Sequence, residues 1–235
     1  MRYDAGVSAP PPSYRPLKKV SFAIWTDERG LSVFMALLAV WLFVIPHFQP
    51  RTGEGSLSGD LFLTVLLLTG ASAVSMQRAL RMLVISVALL AVTLRLLDGL
   101  FSADAAAVGR LGSYAISAAL LALIVLFRVF AGGTVNKHRI LGAVSGYLLI
   151  GVTWATLYSL VDTVNPGAFS QSAGSGDRRD WIYYSFVTLT TVGYGDITPI
   201  HSVARTLAIL EALIGQLYPA ILIARLVSQG FARPR

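Results

Sequence analysis

Thr188-Leu189-Thr190-Thr191-Val192-Gly193-Tyr194-Gly195-Asp196 is the stretch on which the fold of this chain turns. It ends a short aromatic-apolar run, Trp181 to Thr190, and is followed by a long apolar segment from Thr206. Ten residues of helix are about 15 Å long, half of the ~30 Å hydrocarbon core of a bilayer. Asp180 is well placed as an N-cap, so the pattern predicts a capped half-helix over Trp181–Thr190. A half-helix and a glycine-rich irregular segment between two crossing helices leave bare backbone at membrane depth. Such backbone is tolerable only where it lines a water-filled path.

The rest of the chain supplies the membrane. Of 235 residues, 55% are hydrophobic and 13% charged, and the mean hydropathy is +0.67, which few soluble domains approach. Six apolar segments stand out: Leu31–Phe48, Leu61–Gln77, Met82–Leu97, Leu111–Phe130, Ile140–Val161 and Thr206–Val227. The third is the weakest, because Arg95 interrupts it and must snorkel to the headgroups. Continuous apolar runs without period-two alternation argue against a β-barrel. The expected fold is an all-α membrane protein with six transmembrane helices, a re-entrant pore half-helix and an irregular loop. Its expected divisions are a cytoplasmic tail (1–30), a four-helix region (31–133), a pore domain (138–228) and a short cytoplasmic tail (229–235).

The net charge of +7 does not indicate a nucleic-acid partner, because the nineteen Lys and Arg residues lie mostly between apolar segments. That is membrane-flanking charge. With the N-terminus inside, thirteen of them fall on the inner side; the other six are Arg51, Arg95, Arg110, Arg178, Arg179 and Arg205. The bias places both termini in the cytoplasm of an integral plasma (inner) membrane protein. The polar, proline-rich start does not read as a cleavable signal, although Phe22–Trp25 reads as an interfacial segment. The chain has no cysteine, which excludes disulfides, thiolate metal sites and a thiol nucleophile. His47, His138 and His201 are too far apart in sequence to suggest a metal site.

The run Thr190-Thr191-Val192-Gly193-Tyr194-Gly195-Asp196 resembles the filter of the potassium channel superfamily. Pro199, Arg205 and Gly215, twenty residues after Gly195, also match that family's pattern, so the resemblance covers roughly residues 138 to 228. A Gly-Tyr-Gly turn can merely link two helices, but the half-helix and flanking aromatics argue against that here. The family's general mechanism, rings of carbonyl oxygens replacing the hydration shell of the ion, is what the resemblance implies. It implies K+ sites at Thr191, Val192, Gly193 and Tyr194, including the Thr191 hydroxyl, with Gly193 and Gly195 taking the left-handed backbone. One chain gives a quarter of each ring, so a homotetramer in the bilayer follows.

Asp196, Thr190, Trp181, Tyr183 and Tyr184 are the expected filter supports, with Tyr183, Tyr184 and Phe186 bracing Val192 and Tyr194. Asp196 would accept a hydrogen bond from a Tyr hydroxyl or from the Trp181 indole. Glu211, Gly215 and Pro219 are gating candidates; the resemblance implies a hinge glycine at Gly215, and Pro219 is the alternative hinge. Glu211 is read as a strut bonded to a hydroxyl of the half-helix, such as that of Thr188 or Tyr184, or, less favoured, as a protonatable gate. Family carry-over puts Gln216 and Ile223 on the cavity.

Several features depart from the family's better-known branches. Nothing charged lies between Arg110 and Arg128 in the fourth segment, so steep voltage gating is not expected. With eight residues after Val227, no soluble ligand domain is expected in this chain. Val187 stands where some bacterial members carry a carboxylate. The reading is passive potassium conduction with no enzyme chemistry and no cofactor beyond the permeant ion. The alternatives are a non-selective cation channel and a non-conducting regulatory subunit; a transporter would need four such loops.

Overall fold

The structure is a computed structural model that describes residues 28–45, 57–73, 78–97, 100, 102–130, 137–171 and 177–231. The Phe22–Trp25 segment, most of the N-terminal tail, His47, the ends of the first two apolar segments and the last four residues lie outside the described residues. The Arg95, Arg128 and His138 side chains lie outside them too.

In chain order the elements are α1 (Glu28–Phe43), α2 (Leu57–Ala73), α3 (Arg78–Leu96), α4 (Ala103–Phe130), α5 (Lys137–Val164), β1 (Phe169–Gln171), α6 (Arg178–Leu189), β2 (Ile197–Pro199) and α7 (Ser202–Phe231). Three spans are long and apolar enough to cross a membrane: Asp104–Phe127, Arg139–Val164 and Ser202–Arg225. The apolar parts of the first three helices are shorter, at Leu31–Phe43, Leu61–Ala71 and Arg81–Leu94. In the third, Arg81 opens the stretch and Arg95 follows its end. α7 continues to Phe231, so the last helix takes in part of the expected C-terminal tail.

Each helix lies on its neighbour in sequence: α2 on α1, α3 on α2, α4 on α3 and α5 on α4, with α1 also against α5. Lipid tails are as apolar as leucine, so close packing rather than water exclusion holds such helices together. Small side chains allow it. Ala88 and Ala91 of α3, Ala106, Ala115, Ala118 and Ala122 of α4, and Ala143 and Ala155 of α5 are all buried. Phe34 and Leu38 of α1 interlock with Leu66, Leu67, Leu121 and Leu149 in one core.

The expectation of an all-helical chain needs one correction. β1 and β2 form an antiparallel pair with Phe169 opposite Pro199, Ser170 opposite Thr198 and Gln171 opposite Ile197. Three residues are too few for an alternating pattern to be visible in sequence. A turn with Gly167 at φ +85° leads into β1, and the Ile200 and His201 amides both donate to the Ala168 carbonyl, at 2.8 and 3.1 Å. This strand pair ties the segment leaving α6 back to the end of α5.

Candidate ion filter

α6 begins three residues earlier than expected. Its N-cap is Asp177, not Asp180: the Asp177 carboxylate accepts the Arg178 amide at 2.7 Å, while Asp180 reaches back to the Asp177 amide at 3.3 Å. The two acids form a capping box, in which Asp180 is the third helical residue rather than the cap. Asp177 also pairs with the Arg179 guanidinium at 2.8 Å. The helix thus has twelve residues, about 18 Å, still too short to cross. At its other end the Thr191 amide donates to the Thr188 carbonyl at 2.9 Å, and the Val192 and Gly193 amides share the Val187 carbonyl at 2.9 and 3.3 Å.

Beyond that turn, φ is +60° at Thr191, +57° at Gly193 and +81° at Gly195, while Val192 and Tyr194 keep negative φ. Every second residue is left-handed. Backbone of alternating hand turns successive peptide carbonyls toward one side, which neither a helix nor a strand does. Thr191 is the surprise, since a β-branched residue at positive φ is an outlier and no glycine marks the position in sequence.

The side chains are divided between two faces. Tyr194 stacks on Tyr183 at 6.4 Å with the rings 2° apart, and the Asp196 carboxylate lies near the Tyr183 hydroxyl. Tyr184 does not brace Tyr194. It is buried on a different face of the half-helix, 4.8 Å from Tyr158 and 5.5 Å from Phe169. Trp181 is buried there too, its ring 4.7 Å from Phe169. Helical periodicity explains the split, because Tyr183 and Tyr184 are about 100° apart around α6. Phe186 lies over Gly151 of α5, with ring atoms 2.5 Å from where a Cβ would sit. The Thr190 hydroxyl donates to the Phe186 carbonyl at 2.6 Å. Val192 and Tyr194 are exposed in the single chain and line a groove of about 830 Å³ that also touches Leu42 and Phe43 of α1. Past the loop, Arg205 Nε donates to the Pro199 carbonyl at 3.1 Å.

α7 holds this assembly from behind. Glu211 is completely buried, and its two oxygens accept the Tyr158 hydroxyl of α5 and the Ser185 hydroxyl of α6, each at 2.6 Å. The half-helix hydroxyl is thus that of Ser185 rather than Thr188 or Tyr184, and Tyr158 of the preceding long helix is a second partner. Ser185 Oγ is also 2.8 Å from the Gly151 carbonyl, so one carboxylate joins three helices. One turn on, Gly215 is pressed against the end of α6, where an added Cβ would lie 1.8 Å from the Leu189 carbonyl oxygen. Gln216 then donates from Nε2 to Thr191 Oγ1 at 2.9 Å.

Pro219 lies inside an unbroken α7. Having no N–H, it leaves the Gly215 carbonyl, four residues back, without its helical donor. Ile223 is exposed.

Sequence reasoning missed Ser185, Tyr158, Tyr147 and Tyr218. The Tyr147 hydroxyl approaches the Leu189 carbonyl at 3.4 Å, and Tyr218, stacked on Tyr147 at 5.5 Å, donates to the Ala143 carbonyl at 2.7 Å. Hydroxyl-bearing residues within apolar helices were the available signal, since each needs a polar partner in the membrane.

Comparison with known proteins bears on the same region. A family model described as Ion channel matches residues 143–231. Protein LctB of Bacillus caldotenax is 37% identical over 90 residues, covering 36% of this chain and 66% of LctB. Two pore potassium channel c of Oryza sativa subsp. japonica is 41% identical over 83 residues, 35% of this chain and 17% of that protein. Inward rectifier potassium channel Kirbac3.1 of Paramagnetospirillum magnetotacticum is 34% identical over 92 residues, 37% of this chain and 28% of the relative. The chain thus spans just under two thirds of LctB and less than a third of the two named channels. No solved structure matches it significantly. With its three membrane-length helices, two of them largely within the residues that match the ion channel family, the chain is an integral membrane protein with an ion channel region similar to that of potassium channels.

Proposed function

We propose that this chain is one subunit of a homotetrameric, potassium-selective channel whose filter is Thr191-Val192-Gly193-Tyr194-Gly195. The observation that carries the reading is the alternation of hand at Thr191, Gly193 and Gly195, which suits a stack of inward-facing carbonyls and the Thr191 hydroxyl. A stripped potassium ion needs such oxygens on successive levels to replace its water. The C-terminus of α6, carrying about −0.5 elementary charge, favours a cation just inside. Asp196, near Tyr183, adds negative potential at the outer end. Transport of this kind is passive and needs neither covalent chemistry nor a cofactor.

Six crossings, with both termini in the cytoplasm of the plasma (inner) membrane, go with this reading. α1 to α3 have 16, 17 and 19 residues, about 24 to 29 Å of helix, and they cross if the bilayer thins slightly or their charged ends snorkel. Residues 31–133 form a jacket around the pore unit of 138–228. The empty stretch between Arg110 and Arg128 leaves α4 without gating charges worth about 2.3 kcal/mol each per 100 mV.

The test is flux from liposomes holding the purified protein, first under a potassium and then under a sodium gradient. Potassium flux alone is expected. Gly193→Ala, which puts a Cβ on a residue at φ +57°, should abolish it. Equal flux of the two ions would replace the reading with a non-selective channel, and no flux of either with a regulatory subunit.

A further inference from the structure

We infer that Gln216 of α7 orients the Thr191 hydroxyl and thereby sets the ion affinity of the innermost filter site. The inference rests on the potassium-channel reading above, and it concerns a contact between two segments 25 residues apart, Gln216 Nε2 to Thr191 Oγ1 at 2.9 Å.

A threonine hydroxyl has three staggered positions about χ1, and only one of them presents Oγ1 to a given ion. At Thr191 the backbone makes the choice harder, because φ +60° is a conformation that a β-branched residue holds only when its surroundings impose it. The main-chain bonds from the Thr191, Val192 and Gly193 amides to Thr188 and Val187 fix the backbone, yet none of them touches the side chain. Gln216 does. An amide N–H can only donate, so Thr191 Oγ1 is held as an acceptor, with its remaining lone pair free for a cation and its own proton turned elsewhere.

The height of Gln216 is set by its neighbour. Gly215 lies against the Leu189 carbonyl without room for a methyl group, which fixes α7 against the chain two residues before Thr191. Gln216 therefore reaches Thr191 from a helix that cannot slide. A purely apolar side chain at 216 would fill the same space and leave the hydroxyl free to rotate.

Barium is the probe, being a divalent cation close to potassium in size that lodges where oxygens bind potassium and blocks the flow. With reconstituted channels, block by Ba2+ applied from the cytoplasmic side is measured for wild type and Gln216→Met, which keeps length and loses the donor. Block should weaken about tenfold, as expected when a hydrogen bond of ordinary strength stops orienting the ligand. Should Gln216→Met fail to assemble, Gln216→Asn, one methylene too short to reach, is expected to weaken block in the same direction. In a Thr191→Ala background the effect of Gln216→Met should vanish.

A merely structural Gln216 would lower the number of conducting channels and leave the Ba2+ affinity of the survivors unchanged. That result, or additive effects of the two substitutions, overturns the inference. No potassium flux from wild type would instead overturn the channel reading on which it rests.

Discussion

Alanine is the better helix former, and Gly→Ala inside an exposed helix ordinarily stabilises by about 1 kcal/mol. Gly215→Ala should do the opposite, because its Cβ would meet the Leu189 carbonyl oxygen at 1.8 Å. Backbone at the end of α6 cannot yield as a side chain can, so either α7 moves away or the turn into Thr191 is displaced. We predict that the purified Gly215→Ala protein melts lower than wild type and loses potassium flux. An unchanged melting temperature with full flux would show that the contact is not needed. Family resemblance offered Gly215 as a hinge, whereas the structure gives the absent side chain a packing reason. Gly193 and Gly195 were legible as left-handed positions because glycine advertises them. Thr191 was not, since its conformation is imposed by the turn onto Val187 and by a helix twenty-five residues away.

Among the elements, α5, α6 and α7 are joined at Glu211, and the consequence is a graded loss of stability. Glu211→Ala would strand the Tyr158 hydroxyl, which now donates to it at 2.6 Å, at a cost of about 1–3 kcal/mol for a buried donor left unpaired, whereas Ser185 would keep the Gly151 carbonyl at 2.8 Å. Glu211→Gln retains one carbonyl acceptor and should lie between wild type and Glu211→Ala in thermal unfolding. The reverse order would remove the strut interpretation. If Glu211→Gln flux follows pH as wild type does, no proton sensor need be assigned to it. A second element-scale expectation concerns the start of α6. Asp177 serves the Arg178 amide and the Arg179 guanidinium together, whereas Asp180 closes the box with a longer bond of 3.3 Å. Asp177→Ala should therefore cost about 1–2 kcal/mol and Asp180→Ala less, read from the same melts. The half-helix was legible in outline, from its length and an acid near its start. Which acid caps it was not, because two acids three residues apart both fit the rule. Pro219 and Gly215, offered as rival hinges, are one feature: the proline removes the donor that the Gly215 carbonyl would otherwise meet.

At the scale of the whole molecule, α7 is the least buried of the three membrane-length helices. Only 17% of its most apolar window is buried within the chain, against 44% for α4 and 56% for α5. Leu213, Leu217, Ile221 and Ile223 of α7 lie open, as do Val192 and Tyr194 beside the 830 Å³ groove. Lipid could cover the α7 residues, but lipid has no reason to cover Gln216 or a loop whose backbone needs polar partners. On the tetrameric reading proposed above, other copies of the same chain would cover both, in a ring of four closed by cyclic symmetry. The six apolar segments were readable from composition, while the number that cross was not, because α1 to α3 fall near the length at which tilt and local bilayer thinning decide. The mass of the assembled particle checks the ring directly. Native mass spectrometry from nanodiscs should give four times the 25.2 kDa chain, and Tyr194→Ala, by opening the contact with Tyr183 at 6.4 Å, should reduce selectivity before it reduces assembly. A particle of one chain that nonetheless passed potassium would require a pore built within a single subunit, and one loop of alternating hand supplies oxygens from one side only.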